Sequence, residues 1–146
     1  MSRNSGFTLL ELIVVIAILS ILSGLLWNNF MSSLIKGRDS KRKQDLNAIS
    51  SAIELYYYDF KSYPTVMPGK GTPFLNPSVT GIIYHQQMPA DPLDPRSTYC
   101  YSTDSDMSYY QFYANLENEN DPQIIPTVAC NGVFYNYGVS STNITP

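Results

Sequence analysis

A run of 21 mostly apolar residues near the N-terminus constrains this chain more than any other feature. It extends over residues 7–27, and Glu11 is its only charged residue. As an α-helix the run would measure roughly 31 Å, close to the ~30 Å hydrocarbon core of a bilayer. The apolar part of a secretory signal is shorter, about 7–15 residues, and a chain of 146 residues has little room to bury such a helix. The run therefore predicts a membrane-spanning helix.

The helical pattern continues beyond the apolar run. All ten prolines lie at or after Pro64, so none interrupts a helix before that point. Apolar residues then recur at spacings of three and four, which is typical of one face of an amphipathic helix: Leu46, Ile49, Ile53, Tyr57 and Phe60. A residue before proline is disfavoured in the α conformation, so Tyr63-Pro64 ends the pattern. The sequence predicts a membrane-spanning part over residues 7–28 and an amphipathic part over residues 29–62.

The second half of the chain, residues 63–146, has the composition of a small β-rich head. Aromatic and β-branched residues predict strands within 98–102, 108–116 and 127–137, with a short strand or helical turn at 79–84. Asn131-Gly132 is a strong signal for a two-residue hairpin. Proline-rich segments 64–78 and 88–95 are predicted loops, and the polar tail from Gly138 is predicted to be loose. The fold class is therefore α+β, with a long N-terminal helix packed on a small antiparallel sheet.

The two cysteines of the chain, Cys100 and Cys130, lie on separate predicted strands. One interpretation is a disulfide, which would close a loop of about 30 residues and stabilise the head by roughly 3–4 kcal/mol. Because such a bond needs an oxidising compartment, it would place the head outside the cytoplasm. The alternative is a pair of buried free thiols in a cytosolic head.

The charged residues that flank the apolar run give conflicting signals about its orientation. Arg3 precedes the run and is typical of a cytoplasmic end. Five basic residues follow the run closely: Lys36, Arg38, Lys41, Arg42 and Lys43. Counted alone, they would place the second side in the cytoplasm as well, against the disulfide interpretation.

Residues 6–17, "GFTLLELIVVIA", resemble the start of type IV prepilins and type II secretion pseudopilins. The resemblance implies that residues 1–6 are a leader, that a prepilin peptidase cuts after Gly6, and that the new terminal residue Phe7 is N-methylated. It also implies that Glu11 is required for assembly into a homo-oligomeric helical filament on a membrane platform. The segment "YYYDFKSYP" and a "P-x-D-P" turn followed by tyrosine-rich sequence extend the likeness and imply a pilin-like fold.

Two interpretations of Glu11 follow from physical chemistry. Cleavage after Gly6 would give Phe7 a free amine, and a carboxylate in the bilayer costs about 2.5–3.5 kcal/mol on insertion scales unless it is paired. Pairing of Glu11 with that amine, within one chain or between neighbours, would set the axial register of a filament. Alternatively, Thr8 and Glu11 stand three residues apart, as in a capping box at a helix N-terminus.

Other charged residues suggest ligands less specifically. The basic residues at 38–43 are typical of a solvated face with inter-subunit ion pairs, and phosphate binding, as in DNA uptake, is the other interpretation. Five acidic residues of the head supply oxygen atoms of the kind that calcium prefers: Asp104, Asp106, Glu117, Glu119 and Asp121. The glycine-rich acidic loop of calcium-binding pseudopilins is absent from the sequence, so the prediction is no cofactor, with calcium at these residues as the alternative. His85 is the only histidine, and a lone histidine favours no metal site.

No sequence motif indicates catalysis. The chain contains neither G-x-S-x-G nor H-E-x-x-H, and it has no phosphate-binding glycine loop. The sequence favours a pilus-like filament subunit for adhesion, motility or DNA uptake. A major pseudopilin of type II secretion is the second hypothesis, and an uncleaved membrane-anchored binding domain is the third. The first two predict a cytoplasmic N-terminus, a head outside, and a final place in a cell-surface or periplasmic filament.

Overall fold

The computed structural model describes residues 6–146, without the side chains of Leu25, Leu26 and Asn28. The leader prediction for residues 1–5 thus lies outside the described residues. Helix α1 extends over Leu9–Phe60, two residues shorter at each end than predicted. It ends where Lys61 takes a left-handed conformation, with φ of 57°, just before Tyr63-Pro64. The chain forms two units, an N-terminal unit that ends at Lys36 and a head unit over Gly37–Pro146.

The N-terminal unit exposes nearly all of its apolar surface. Phe7 is 88% exposed, and the large aliphatic side chains from Leu9 to Leu22 on α1 are exposed as well. Within the described residues, α1 is the one helix long and apolar enough to cross a membrane, and none of its most apolar 18-residue window is buried in the protein.

In the head unit, one face of α1 forms the centre of the core. Leu46, Ile49 and Ile53 have no exposed surface, as predicted. The predicted face is wrong at Tyr57, which is 36% exposed, because Tyr56 lies against the core instead. The ring of Tyr56 stacks on Phe74 with centroids 5.5 Å apart, and the spacing of three from Ile53 keeps it on the buried face.

Seven short strands form three antiparallel sheets. The strands are β1 (Phe74–Leu75), β2 (Ile83–His85), β3 (Cys100–Thr103), β4 (Tyr110–Ala114), β5 (Val128–Cys130), β6 (Val133–Tyr135) and β7 (Tyr137–Ser140). β3, β4 and β7 pair in that order, while β1 pairs with β2 and β5 with β6. The strands predicted within the three β-like runs are confirmed. The predicted loop over 64–78 is wrong at β1, which pairs with β2 although it has only two residues.

The prediction of a loose tail from Gly138 is wrong for its first residues. β7 pairs with β4, and Gly138 lies opposite Tyr113. A Cβ atom at Gly138 would come within 2.7 Å of the Tyr113 ring, so only glycine allows this close approach. Ser141 is 1% exposed and exchanges hydrogen bonds with the Tyr110 backbone, which fixes the end of the strand.

The β5–β6 hairpin turns at Asn131-Gly132, as predicted. Both residues have positive φ, 50° and 80°, which is the conformation of the type I′ turn that this pair favours. A disulfide joins Cys130 at the end of β5 to Cys100 on β3. The two sulfur atoms are packed in a second small core with Tyr113 and Tyr135.

Candidate functional site

The segment that the prepilin-like motif marks lies at the start of α1. Gly6, Phe7 and Thr8 precede the first helical residue, and all three are exposed. A Cβ atom at Gly6 would have no neighbour within 4 Å. The Gly6–Phe7 peptide bond therefore lies in exposed chain that precedes the helix.

Glu11 and Thr8 form a capping box. The Thr8 backbone N–H and the Thr8 hydroxyl each donate to Glu11 Oε2 at 2.8 Å, and the Glu11 N–H donates to Thr8 Oγ1 at 3.3 Å. The capping interpretation thus describes the single subunit. The two hydrogen bonds that Thr8 donates both end on Glu11 Oε2. The other carboxylate oxygen, Oε1, accepts no hydrogen bond within the described residues. The carboxylate can therefore cap its own helix and still accept a cation from another chain.

The other polar side chains in the apolar part of α1 are satisfied within the helix. The hydroxyls of Ser20 and Ser23 donate to the carbonyls of Ile16 and Leu19 at 2.7 Å. They therefore add little polarity to the surface of the helix, and they are small enough to let another helix approach closely. Glu11 remains the one charged group of this surface between Phe7 and Trp27.

The head contains a buried charge cluster that the sequence analysis missed. We call it the Arg42 cluster, and it consists of Arg38, Asp39, Arg42, Asp91 and Glu117. Arg42 has no exposed surface. Its guanidinium donates to Asp91 Oδ2 and Oδ1 at 2.7 and 3.0 Å, to Asp39 Oδ1 at 2.7 Å and to Glu117 Oε1 at 2.7 Å.

The three carboxylates of the Arg42 cluster are all held by further donors. Arg38 contacts both oxygens of Glu117, at 2.7 and 2.5 Å. Asp39 accepts the backbone N–H groups of Glu117 and Asn118, at 3.0 and 2.8 Å. Asp91 accepts the N–H of Leu93 at 2.8 Å. The cluster sets two cations against three carboxylates, and the backbone N–H groups are additional donors to these carboxylates. Within the described residues, no buried side-chain nitrogen or oxygen lacks a hydrogen-bond partner.

The prediction that residues 38–43 form a solvated face with inter-subunit ion pairs is wrong for three of the cations. Arg38 and Arg42 belong to the Arg42 cluster, and Lys43 contacts both oxygens of Asp121 at 2.7 Å. The physical reason is that Arg42 lies four residues before Leu46 on the buried face of α1, where its charge needs carboxylates from the head. Lys41 also pairs with a carboxylate of the same chain, Asp45, at 2.6 Å, and DNA binding stays a prediction.

Three of the five acidic residues that calcium could use, Asp104, Glu117 and Asp121, are held by other groups of the chain. Glu117 and Asp121 neutralise the cations of α1, as described above. Asp104 closes its own turn by accepting the N–H and hydroxyl of Ser108 at 2.7 and 2.6 Å. In the part of the chain that the structure describes, no three His, Cys, Asp or Glu residues are placed to hold a metal ion. His85 is half-buried and accepts the Gln87 N–H at 3.4 Å.

The Arg42 cluster shifts the titration of its members. The hydrogen bonds from Arg38, followed by those from Arg42, outweigh burial and lower the pKa of Glu117 to about 2. Burial alone would raise the pKa of Asp91, but the hydrogen bonds from Arg42 and the Leu93 N–H lower it. Burial likewise works against the charge on Arg42, and its hydrogen bonds to Asp91, Glu117 and Asp39 raise its pKa.

Acid should therefore destabilise the head. A carboxylate whose pKa is lower in the folded protein than in the unfolded chain stabilises the fold at any pH above its unfolded pKa. This contribution is lost as the pH falls from the unfolded pKa through the folded pKa. For Glu117, this stability is lost between about pH 4.5 and about pH 2. We expect the free energy of unfolding to fall there by on the order of 2 kcal/mol, the full shift being reduced by partial solvent screening. Urea unfolding of the full chain at several pH values measures this, and Glu117→Gln should flatten the profile. An equally steep profile in that variant would assign the effect to other groups.

The fold and the N-terminal site together define a pilin-like protein, with a long, partly exposed apolar helix and a small antiparallel head. A profile for the prokaryotic N-terminal methylation motif matches residues 1–27. A second profile, for type II secretion system protein G, matches residues 29–118. Because this second match covers more than half of the chain, the protein belongs to the type II secretion system protein G family.

Individual relatives agree with this assignment. The chain is 43% identical to the type II secretion system core protein G of Aeromonas hydrophila over 67 residues, which are 46% of this chain and 47% of the relative. It is 32% identical to the core protein G of Escherichia coli over 97 residues, 62% of this chain and 67% of the relative. The chain thus spans about half the length of several of the curated relatives that it matches. No solved structure gives a match.

Proposed function

We propose that this protein is a structural, non-catalytic subunit of a type II secretion pseudopilus, assembled through its N-terminal helix. The observation that carries this proposal is the exposed apolar surface of α1 after Phe7, which contains a single carboxylate at Glu11. Such a surface is incompatible with water, and lipid or other apolar helices must cover it. The relatives named core protein G favour a pseudopilus over the long pilus that the sequence analysis placed first.

The proposed cycle begins in the membrane. A prepilin peptidase cuts between Gly6 and Phe7, and the amine of Phe7 is then methylated. In the subsequent assembly on a platform in the cytoplasmic membrane, helix–helix packing replaces lipid around the apolar part of α1. The Phe7 amine of one subunit meets the unoccupied oxygen of Glu11 on a neighbour, which neutralises both charges in an apolar interior.

The proposed topology places the N-terminus in the cytoplasm and the head in the periplasm. The Cys100–Cys130 disulfide supports an oxidising compartment for the head. The basic residues after the apolar run, which by their count alone oppose this orientation, have partners in the folded head. Arg38, Arg42 and Lys43 are paired with head carboxylates, so a folded head carries few free positive charges near the helix.

Processing provides a direct test of the proposal. Gly6→Val should block leader removal, because the exposed site then presents a branched side chain at the cleavage position. Intact mass analysis of the membrane-extracted protein should show wild-type chains that begin at a methylated Phe7, and variant chains that keep residues 1–6. Gly24→Val is the matched control, since a Cβ atom at this glycine also has no neighbour within 4 Å and lies far from the cut. Wild-type chains that begin at Met1 would instead support the uncleaved membrane anchor.

A further inference from the structure

The turn of the β5–β6 hairpin contains a chemically labile pair of residues. Asn131 is the only asparagine of the chain that precedes a glycine. In such a pair the backbone nitrogen of the glycine can attack the side-chain amide carbon of the asparagine, because glycine has no Cβ atom to crowd the five-membered ring that forms. Asn131-Gly132 can therefore react as well as turn the chain.

The structure leaves the reacting groups accessible. Both residues are exposed, and a Cβ atom at Gly132 would have no neighbour within 4 Å. Within the described residues, the Gly132 N–H donates to no other group of the chain. The Asn131 side-chain amide donates to Cys100 Sγ at 3.4 Å, and sulfur is a weak acceptor. The nucleophile is thus free, and the amide that must leave is held by one weak bond.

Two neighbouring asparagines of the head are held more firmly. The side-chain amide of Asn136 accepts the Leu116 N–H at 2.7 Å and donates to the Leu116 carbonyl at 3.0 Å. Asn136 also precedes Tyr137, whose side chain crowds ring closure. The amide of Asn143 donates to a backbone carbonyl at 3.0 Å, and a β-branched residue follows it. Both amides must break such bonds before they can react.

We propose that Asn131 is a site of spontaneous deamidation in the folded protein, and that the reaction loosens the β5–β6 hairpin beside the disulfide. The Gly132 nitrogen forms a bond to Asn131 Cγ, the Cγ–Nδ2 bond breaks, and ammonia leaves with the amide proton of Gly132. Water then adds to either carbonyl of the resulting succinimide and opens the ring. The product at this position is aspartate or isoaspartate, and water is the one co-reactant.

Both products alter the hairpin. Either one introduces a negative charge into residues 122–146, which contain no charged side chain, and replaces the N–H donor to Cys100 Sγ by a carboxylate. Isoaspartate also adds a carbon atom to the main chain, so the two-residue turn can no longer keep Cys130 opposite Val133. The inference goes beyond the proposed function, because neither leader processing nor helix assembly enters the argument.

The first test measures the modification itself. The full chain in lipid nanodiscs is incubated for several days at mildly alkaline pH and then digested for mass spectrometry, with electron-transfer fragmentation to distinguish aspartate from isoaspartate. We expect Asn131 to be converted about tenfold faster than Asn136 in the same sample, because only Asn131 has an unhindered neighbour. Asn131→Gln is the matched control, since it keeps an amide but would need a larger ring to react, and it should stay unmodified. Equal rates at Asn131 and Asn136 would overturn the proposal.

Hydrogen exchange measures the effect on the hairpin and needs no variant. In the isoaspartate fraction of the incubated wild type, the amides of β5 and β6 should exchange about tenfold faster than in the intact fraction, while those of β4 stay protected. Asn131→Asp carries the charge without the extra main-chain carbon, so it should show a smaller increase. Unchanged exchange in the isoaspartate fraction would contradict the proposed loosening.

Discussion

Glu11→Val should abolish filament assembly while leaving leader removal intact. An unpaired carboxylate costs about 2.5–3.5 kcal/mol in an apolar environment. A glutamate in this helix therefore requires a compensating interaction in the assembly. The processed Phe7 amine of a neighbouring subunit is the cation that this proposal supplies. Without the carboxylate that amine stays unpaired in the helix bundle, and the axial position of each subunit is no longer fixed. Electron microscopy of sheared filaments, together with intact mass analysis of the membrane fraction, measures both outcomes.

Two further variants separate charge pairing from helix capping. Glu11→Gln retains an oxygen that accepts from Thr8 but removes the negative charge, so we expect it to fail in assembly as Glu11→Val does. Thr8→Val removes the hydroxyl bonds of the capping box and keeps the carboxylate, so we expect filaments. The reverse pattern, filaments from Glu11→Gln and none from Thr8→Val, would show that capping alone explains the glutamate.

The elements that the sequence predicted well are those with local causes. The proline-free stretch and the apolar spacing of Leu46, Ile49 and Ile53 specify α1 without reference to the rest of the chain. Asn131-Gly132 determines its own turn for the same reason, because both residues tolerate positive φ. The N-terminal motif was likewise visible in residues 6–17 alone.

The elements that were missed depend on distant partners. β7 contains Gly138, which disfavours strands, and it forms because β4 accepts it and because Tyr113 leaves room only for glycine. The Tyr56 and Tyr57 side chains are chemically the same, so the sequence could not show which one faces the core. Tyr56 faces the core because its ring packs against the rings of Phe74 and Tyr84, which lie on the distant β1–β2 pair.

One feature of the sequence could have predicted the Arg42 cluster. Asp39 and Arg42 precede Leu46 by seven and four residues, so they continue the buried stripe of α1 toward the N-terminus. Oppositely charged residues on an apolar stripe can form a buried ion pair. The spacing of Asp39 and Arg42 was therefore compatible with burial, and not only with a solvated face. The identity of the partners was beyond the sequence, because Asp91 and Glu117 lie 49 and 75 residues from Arg42.

Arg42→Met should strongly destabilise the head. Methionine fills much of the same space, but it leaves Asp39 and Asp91 buried without their cation. Removal of one partner from a buried ion pair costs about 3–5 kcal/mol, a large fraction of the 5–15 kcal/mol that small proteins typically have. We expect a loss of that size in the free energy of unfolding, measured by urea denaturation with near-UV circular dichroism on the full chain in detergent. Arg96→Met, the same change at an exposed position, should alter stability by less than about 0.5 kcal/mol.

A compensating substitution shows whether the loss comes from the uncompensated charge. In Arg42→Met with Asp91→Leu, the most buried carboxylate is removed together with the cation, so the double variant should be more stable than Arg42→Met alone. Arg42→Lys should not rescue the head, because one ammonium group cannot reach three carboxylates with the planar geometry of the guanidinium. If Arg42→Met were as stable as Arg96→Met, the cluster would contribute nothing to the fold. The basic residues of α1 would then need another explanation for their burial.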